Sequence, residues 1–300
     1  MTNATTFFSY KGGSGRSTTC LNTLPFLADY LGAYSGTPIL LLDMDIESAG
    51  MTYLLNQQDF FRGDVFDVKE LLKSDRRFST ERVQDISKHE LLSKFVPVGK
   101  RLGLDDDYAV RFLGVNDQSP QINKQNIGAL AERSIGDLHA FSSNNGIKAI
   151  IMDSAAGDQD SATTAIGISD KVVFCMRPTK QFRVGTFNYL TRLKNRLGSS
   201  GEDIEIILLP TVVPADANIN GISQLNASIS DIEDRISRLG GLNVNDTFVC
   251  SSKTFGINEV ARFKWQEEIL FKLKASGTDL VTDENIAYQR YMKLAEIIGE

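Results

Sequence analysis

Phe7-Phe8-Ser9-Tyr10-Lys11-Gly12-Gly13-Ser14-Gly15-Arg16-Ser17-Thr18-Thr19 is the stretch on which the reading of this 300-residue chain turns. An apolar run from Thr5 to Ser9 enters a glycine-rich turn, and a helical pattern over about 16–33 begins inside it. Glycines let backbone N–H groups converge without side chains in the way. The helix N-terminus adds partial positive charge, so this order of elements suits a bound phosphate. Arg16 and the hydroxyl of Ser17 follow where a phosphate contact and a Mg²⁺ ligand are needed. Two positions depart from the ordinary G-x-x-x-x-G-K-[ST] pattern: Tyr10 stands for the first glycine and Arg16 for the lysine. On pattern alone, a glycine turn ahead of a buried helix stays open.

Two further apolar runs end in carboxylates. Ile39-Leu40-Leu41-Leu42 leads into Asp43-Met44-Asp45, and Ala149-Ile150-Ile151-Met152 leads into Asp153-Ser154-Ala155-Ala156-Gly157. A buried strand ending in a carboxylate delivers it to the edge where open α/β sheets bind ligands. Asp153 has the setting of a carboxylate that holds Mg²⁺ through its water shell. Asp43 and Asp45 read either as site carboxylates or as caps of a turn. An apolar run ending in Asp is common alone, but in this order the three elements reinforce one another.

Strand-like runs at Thr5–Ser9, Ile39–Asp43, Val110–Leu113, Ala149–Asp153, Lys171–Met176, Ile204–Leu209 and Thr247–Cys250 alternate with helical patterns. The helices fall at about 16–33, 124–144, 183–197, 222–239, 257–274 and 284–298. Continuous apolar runs mark strands buried on both faces. The alternation predicts an α/β fold, a doubly wound, mostly parallel sheet with helices on both faces. Residues 56–109 break the rhythm with Arg76-Arg77 and Asp105-Asp106-Asp107, and read as an insertion of short helices and loops. The Asp run reads as a solvated loop, with a cation or partner contact as the alternative. No long linker stands out, so residues 1–300 are expected to form one domain. Ile222, Leu225, Ile229, Ile232, Ile236 and Leu239 make a helical stripe for packing on the sheet rather than a coiled-coil seam. The last helix places Ala287, Tyr291, Leu294 and Ile298 on one face, which reads as docking to the core, with membrane targeting by this terminus as the alternative.

The loop Lys-Gly-Gly-x-Gly-[basic]-[Ser/Thr]-Thr resembles the deviant Walker A motif of the ParA/MinD-type P-loop ATPases, in a variant with Arg in place of the P-loop Lys. Asp43-Met44-Asp45 is similar to their switch I, and Asp153-Ser154-Ala155-Ala156-Gly157 to their Walker B and switch II. The resemblance covers these motifs and most of the strand order, but not 56–109. It implies ATP and Mg²⁺ as ligands, with Gly12, Gly13, Ser14, Gly15, Arg16, Ser17 and Thr18 around the nucleotide. It implies Lys11 as the signature lysine that reaches across a nucleotide-sandwiched homodimer to the partner's phosphates. Arg16 would contact the β- and γ-phosphates, and Asp45 would position the attacking water. Ser17, Asp43 and Asp153 form the implied Mg²⁺ set, and Gly157 a backbone donor to the γ-phosphate. Relatives often carry an Asn after a later strand to contact adenine. Here Thr211 to Pro214 stand there, so backbone contacts from these residues are expected to hold the base, and the preference for ATP is the family's. The segment Phe255–Arg262 sits where the family carries a loop near the base and the dimer face. Arginine keeps the charge and offers a bidentate fork, but it is bulkier than lysine. Binding is therefore expected to survive while the hydrolysis rate changes.

Composition excludes other classes. Asp and Glu number 38 against 32 Lys and Arg, a formal charge of -6, which argues against bulk electrostatic binding to nucleic acid. With only 2 His, His89 and His139, a histidine-rich metal site is excluded. The 3 Cys form no C-x-x-C pair, which excludes zinc ribbons, disulfide scaffolds and an iron-protein-like redox relative. Met1–Thr6 has no signal-peptide pattern, and no apolar run approaches the roughly 20 residues of a membrane span. A cytoplasmic protein without membrane association is expected.

The expected function is a Mg-ATP-dependent dimerising ATPase with slow turnover. It would act as a nucleotide-timed switch for an unidentified protein partner or surface, as in bacterial partition, positioning or conflict systems. Arg16 and Tyr10 motivate an alternative, a nucleotide-gated binding or scaffold module with little or no hydrolysis. A metabolite-phosphorylating P-loop synthetase is disfavoured by Lys11. A DNA contact would need the local patch Lys253, Arg262, Lys264, Lys272 and Lys274, interleaved with Phe263, Trp265 and Phe271. Glu259, Glu267 and Glu268 in the same stretch make an ordinary solvated helix face the alternative.

Overall fold

The computed structural model describes residues 2–61, 65–73, 87–116, 118, 127–198, 203–214, 219–249, 255–260, 263 and 268–300. At 127–131, 160 and 219–225 only the helical backbone is described. Among the described residues, eight strands form one sheet: β1 (Asn3–Phe8), β2 (Ile39–Met44), β3 (Val96–Pro97), β4 (Val110–Leu113), β5 (Ala149–Ser154), β6 (Lys171–Met176), β7 (Glu205–Pro210) and β8 (Asn243–Asn245). Their order is β3-β4-β2-β5-β1-β6-β7-β8. All neighbours are parallel except β3, which pairs antiparallel with β4 through Val96 and Phe112.

The eleven described α-helices are α1 (Arg16–Tyr30), α2 (Gly50–Leu54), α3 (Val68–Lys73), α4 (Lys88–Ser93), α5 (Gly99–Leu102), α6 (Ile127–Asn144), α7 (Asp160–Gly167), α8 (Lys180–Leu197), α9 (Ile219–Leu239), α10 (Leu270–Ala275) and α11 (Thr282–Gly299).

Strands β2 and β5 are buried at every position, as their continuous apolar sequences require. In β6 and β7 the two faces separate. Val172, Phe174, Ile206 and Leu208 pack with α7, α8 and α9, whereas Val173, Cys175, Ile207 and Leu209 join the larger core around α1 and α11. This period-2 division is the strand pleat read out as packing. The stripe on α9 is buried at Ile229, Ile232 and Leu239, and its first two members, Ile222 and Leu225, lie outside the described side chains. Helix α11 buries Ala287, Tyr291, Leu294 and Ile298, and burial of Leu294 and Ile298 contributes about 1.5–3 kcal/mol each. Phe26 on α1 meets Phe271 and Tyr288 edge to face.

Within 56–109, Val68, Leu71, Leu72, Leu91, Leu92, Phe95, Val96 and Leu102 enter the same core cluster as β2 and β4. The Asp run caps turns. Asp106 accepts from Ser35 N and Tyr108 N, and Asp107 from Lys100 N. Arg76 and Arg77 lie outside the described residues.

Two sequence expectations are corrected. The strand expected at Thr247–Cys250 lies earlier, at Asn243–Asn245; residues 247–249 form a turn, closed by Val249 N donating to Asp246 O. Phe248 and Val249 are buried, so their apolar character reports burial rather than a ladder. The helix expected over 257–274 begins only at Leu270 among the described residues. Residues 255–260 form no helix and run beside the chain after β7, where Val213 and Asn258 make an isolated parallel bridge. Ile257 N donates to Pro210 O, Val213 N to Ile257 O, and Glu259 N to Val213 O. Gly256 permits this approach, because a Cβ there would stand 2.2 Å from Pro210 O. Among the described residues, no helix is long and apolar enough to cross a membrane.

Candidate functional site

The turn between β1 and α1 has a left-handed backbone at Gly13 (φ 74°) and Gly15 (φ 77°). Glycine adopts this conformation without the clash that a Cβ brings. Gly15 has a second constraint, since a Cβ there would meet Val212 Cγ2 at 3.3 Å. Val212 is itself left-handed (φ 54°), a costly conformation for a β-branched residue. Tyr10, standing where the ordinary motif has glycine, is accommodated by Gly185 on α8. A Cβ on Gly185 would fall 2.4 Å from the Tyr10 ring. The turn is braced on its other side, where Thr211 Oγ1 donates to Ser14 O and Arg177 Nε donates to Gly13 O at 2.6 Å.

At the strand ends, charges converge on Arg16. Its Nε donates to Asp153 Oδ1 at 2.7 Å, and its Nη2 to Asp45 Oδ2 at 3.2 Å. Ser17 Oγ donates to the other oxygen of Asp153 at 2.6 Å. Arg16 is 8% exposed and Asp153 is fully buried. Burial works against the guanidinium's charge, but Asp153 and then Asp45 more than offset it and raise its pKa above the usual value. Burial pushes the Asp153 carboxyl up, opposed by Arg16 and Ser17. Asp43 lies deeper. Its Oδ2 accepts from both Thr52 N and Thr52 Oγ1 at 2.8 Å, and its Oδ1 from Asp45 N at 3.2 Å. Burial, reinforced by Asp153 and opposed by Thr52, pushes Asp43 up to about 7.

Two cavities flank the turn. One of about 520 Å³ is lined by Gly12–Thr18, Asp45, Ser48, Tyr53 and Ala156. Ser14 Oγ, a buried hydroxyl of this turn, has no hydrogen-bond partner among the described residues. The other, of about 280 Å³, is lined by Gly13, Gly15, Thr18, Arg177, Thr211, Val212, Asn258, Glu259 and the apolar Ile257, Val260, Phe263 and Tyr291.

The structure thus gathers Gly12, Gly13, Ser14, Gly15, Arg16, Ser17, Thr18, Asp45 and Asp153 around one place. Lys11 is half-buried beside it and makes no hydrogen bond or ion pair among the described residues. Asp43 has its carboxylate committed to Thr52 and the Asp45 amide rather than to the cavity. The Gly157 N–H donates to Ser9 O at 3.0 Å. Thr211 lines the second cavity, whereas Pro214 is exposed and absent from its lining. Lys253, Arg262 and Lys264 lie outside the described residues. Lys272 is exposed, and Lys274 Nζ sits 4.3 Å from the centre of the Tyr288 ring. Sequence reasoning missed Arg177 and Thr52. Arg177 carried a readable signal, a basic residue at the carboxyl end of a central strand.

No protein-family model matches the chain, and no curated protein matches it. Solved structures do. A variant of McdA from Cyanothece in complex with ATP is 13% identical, covers 99% of this chain and 96% of its own, and has a TM-score of 0.62. The cell division protein MinD of Aquifex aeolicus is 17% identical, with coverages of 99% and 97% and a TM-score of 0.57. Cobyrinic acid a,c-diamide synthase of Mycobacterium smegmatis, with a bound ATP analogue and magnesium, is 14% identical, with coverages of 99% and 93% and a TM-score of 0.61. At such identities the likeness speaks for architecture. The eight-stranded, mostly parallel sheet and its helices give this chain the fold of the ParA/MinD-type P-loop ATPases.

Proposed function

We propose that the protein binds ATP with Mg²⁺ at the β1–α1 turn and hydrolyses it slowly, as a dimerising, nucleotide-timed switch for a protein partner or surface. The observation that carries the reading is the convergence of Arg16, Ser17, Asp45 and Asp153 beside a turn whose Gly13 and Gly15 are left-handed. McdA and the diamide synthase, which share the fold, hold ATP or its analogue in their structures. The phosphates would lie in the larger cavity, on the N–H groups of Gly12 to Thr18. The base would lie against Val212, Ile257 and Phe263 in the smaller one.

The residues present fit Mg²⁺. Ser17 Oγ and Asp153 Oδ2 are hard oxygen donors 2.6 Å apart. Among the described residues no cluster of three or more His, Cys, Asp or Glu stands ready to cage a metal. Ser17 would ligate the ion and Asp153 would hold it through its water shell, a sparse protein set that suits Mg²⁺ better than Ca²⁺. When bound, Mg²⁺ supplies charge neutralisation at the β- and γ-phosphates. Arg16 and the turn's amides stabilise the charge of the transferring phosphoryl group, and Asp45 orients the attacking water. Lys11, with no partner within its own chain's described residues, would reach the phosphates of a second copy. Asp43 would serve by fixing the segment that carries Asp45.

Single-turnover hydrolysis by the wild type beside Asp45→Ala tests this. Turnover that is absent, or equal in the two proteins, refutes the ATPase reading. One observation favours a second reading, a nucleotide-gated module with little hydrolysis: the guanidinium of Arg16 is already engaged by two carboxylates.

A further inference from the structure

Arg16 has five N–H donors in a rigid fork, and they are divided among several partners. Nε goes to Asp153 at 2.7 Å, and Nη2 goes to Asp45 at 3.2 Å with Ser17 Oγ at 3.4 Å. Nη1 has no partner among the described residues. The two carboxylates sit on different strand ends, Asp153 on β5 and Asp45 just past β2, so one side chain joins α1 to both. Asp45 in turn organises the segment after it. Its Oδ1 accepts from Ser48 N at 3.3 Å, and its carbonyl accepts from Ala49 N at 2.8 Å, directly before α2. The guanidinium is almost wholly buried, so these bonds are shielded from water and stronger than surface pairs.

Resting on the nucleotide reading above, we propose that Arg16 is a positioning residue for Asp45 and Asp153. It holds both carboxylates in fixed relation to the phosphate turn while Nη1 remains for the terminal phosphate. A lysine cannot divide its work this way. An ammonium gathers its three donors at one atom, so bonds to two carboxylates would draw the charge away from the phosphate. Arginine here is therefore a device that fixes the water-orienting carboxylate, not a lysine surrogate that merely keeps the charge. Replacing Arg16 with lysine would therefore not make the enzyme more active.

The test uses the full-length chain and three readouts on wild type and Arg16→Lys. These are equilibrium binding of ATP with Mg²⁺, single-turnover hydrolysis at saturating ATP, and amide hydrogen exchange over residues 45–54. Arg16→Lys is expected to bind ATP more weakly than wild type, because the two carboxylates would hold its ammonium, so turnover is compared at saturating ATP. Its single-turnover rate should fall about a hundredfold, the scale of an ångström-sized misplacement. Exchange over 45–54 should be about tenfold faster with or without nucleotide. Asp45→Asn, which removes the charge and leaves one acceptor oxygen for the two donors Arg16 Nη2 and Ser48 N, weakens the same segment from the other end and should also show faster exchange. Arg16→Lys with wild-type exchange, or with equal or faster turnover, overturns the proposal. So does a wild type whose 45–54 segment loosens when ATP binds, because Arg16 would then be leaving the carboxylates. A wild type that binds ATP without hydrolysing it refutes the ATPase reading alone, and the exchange comparison still decides the role of Arg16. A wild type that binds no ATP refutes both.

Discussion

Alanine placed in turn at Gly12, Gly13 and Gly15 separates backbone strain from crowding in the phosphate turn. Gly12 is not among the left-handed residues, and a Cβ there would meet nothing within 4 Å. Gly12→Ala should therefore stay within about 0.5 kcal/mol of wild type. Gly13 has φ 74° but open space around it. The left-handed penalty of about 1–2 kcal/mol is partly offset by the less flexible unfolded chain, worth about 0.4–1 kcal/mol. Gly13→Ala should thus lose a net of about 1 kcal/mol. Gly15 has the same strain and, in addition, the 3.3 Å approach to Val212 Cγ2. Val212 has little freedom to retreat, since Thr211 N is bonded to Met176 O and Val213 N to Ile257 O. Crowding of this kind adds about 1 kcal/mol, so Gly15→Ala should lose about 2 kcal/mol. Urea unfolding followed by circular dichroism gives the three values directly. Equal losses at all three positions, or the largest loss at Gly12, would overturn this division between strain and crowding.

Thr52→Val removes one of the two donors to Asp43 Oδ2 and leaves Val115 N, which donates to Thr52 Oγ1 at 3.0 Å, unpaired in the interior. It should lose about 3 kcal/mol in denaturant unfolding, whereas Thr52→Ser keeps the oxygen and should lose under about 1 kcal/mol. His139 Nε2 stands 3.6 Å from Asp170 Oδ2, and that carboxylate holds the histidine above its usual pKa while its own is lowered. The raised histidine stabilises the fold below its unfolded value of about 6.5 and loses this as pH rises through its folded pKa. The lowered aspartate stabilises above about 3.9 and loses this as pH falls through its folded pKa. His139→Gln should therefore lower the melting temperature most between about pH 4 and 6.5 and least above it. Solvent exposure of the pair limits the effect to under about 1 kcal/mol. Lys11→Ala should leave unfolding unchanged within about 0.5 kcal/mol and abolish the ATP-dependent dimerisation that sedimentation of the wild type is expected to show.

Local pattern carried much of the architecture. The apolar runs ending at Asp43 and Asp153 were legible because a strand buried on both faces has few sequences open to it, and the polar break marks the ligand edge. Gly13 and Gly15 were legible because few other residues tolerate that backbone. The features that stayed hidden depend on partners far along the chain. Tyr10 fits only because Gly185 leaves room for its ring, Gly13 O is held by Arg177, and Asp43 is satisfied by Thr52. Phe248 and Val249 looked like a strand because burial and strand formation favour the same residues. The path of 255–260 stayed hidden because the chain it bonds to lies after β7, which no local periodicity records.

Every functional role proposed for this chain depends on the β1–α1 turn cradling the phosphates of ATP. Isothermal titration of the wild-type chain with ATP and Mg²⁺, repeated with Gly15→Ala, measures this cradle itself. One ATP per chain is expected, with competition by ADP and affinity at least about tenfold weaker in the variant. A wild type that takes up no nucleotide at millimolar ATP, or a folded Gly15→Ala that binds as tightly as wild type, would show that the phosphates do not sit there.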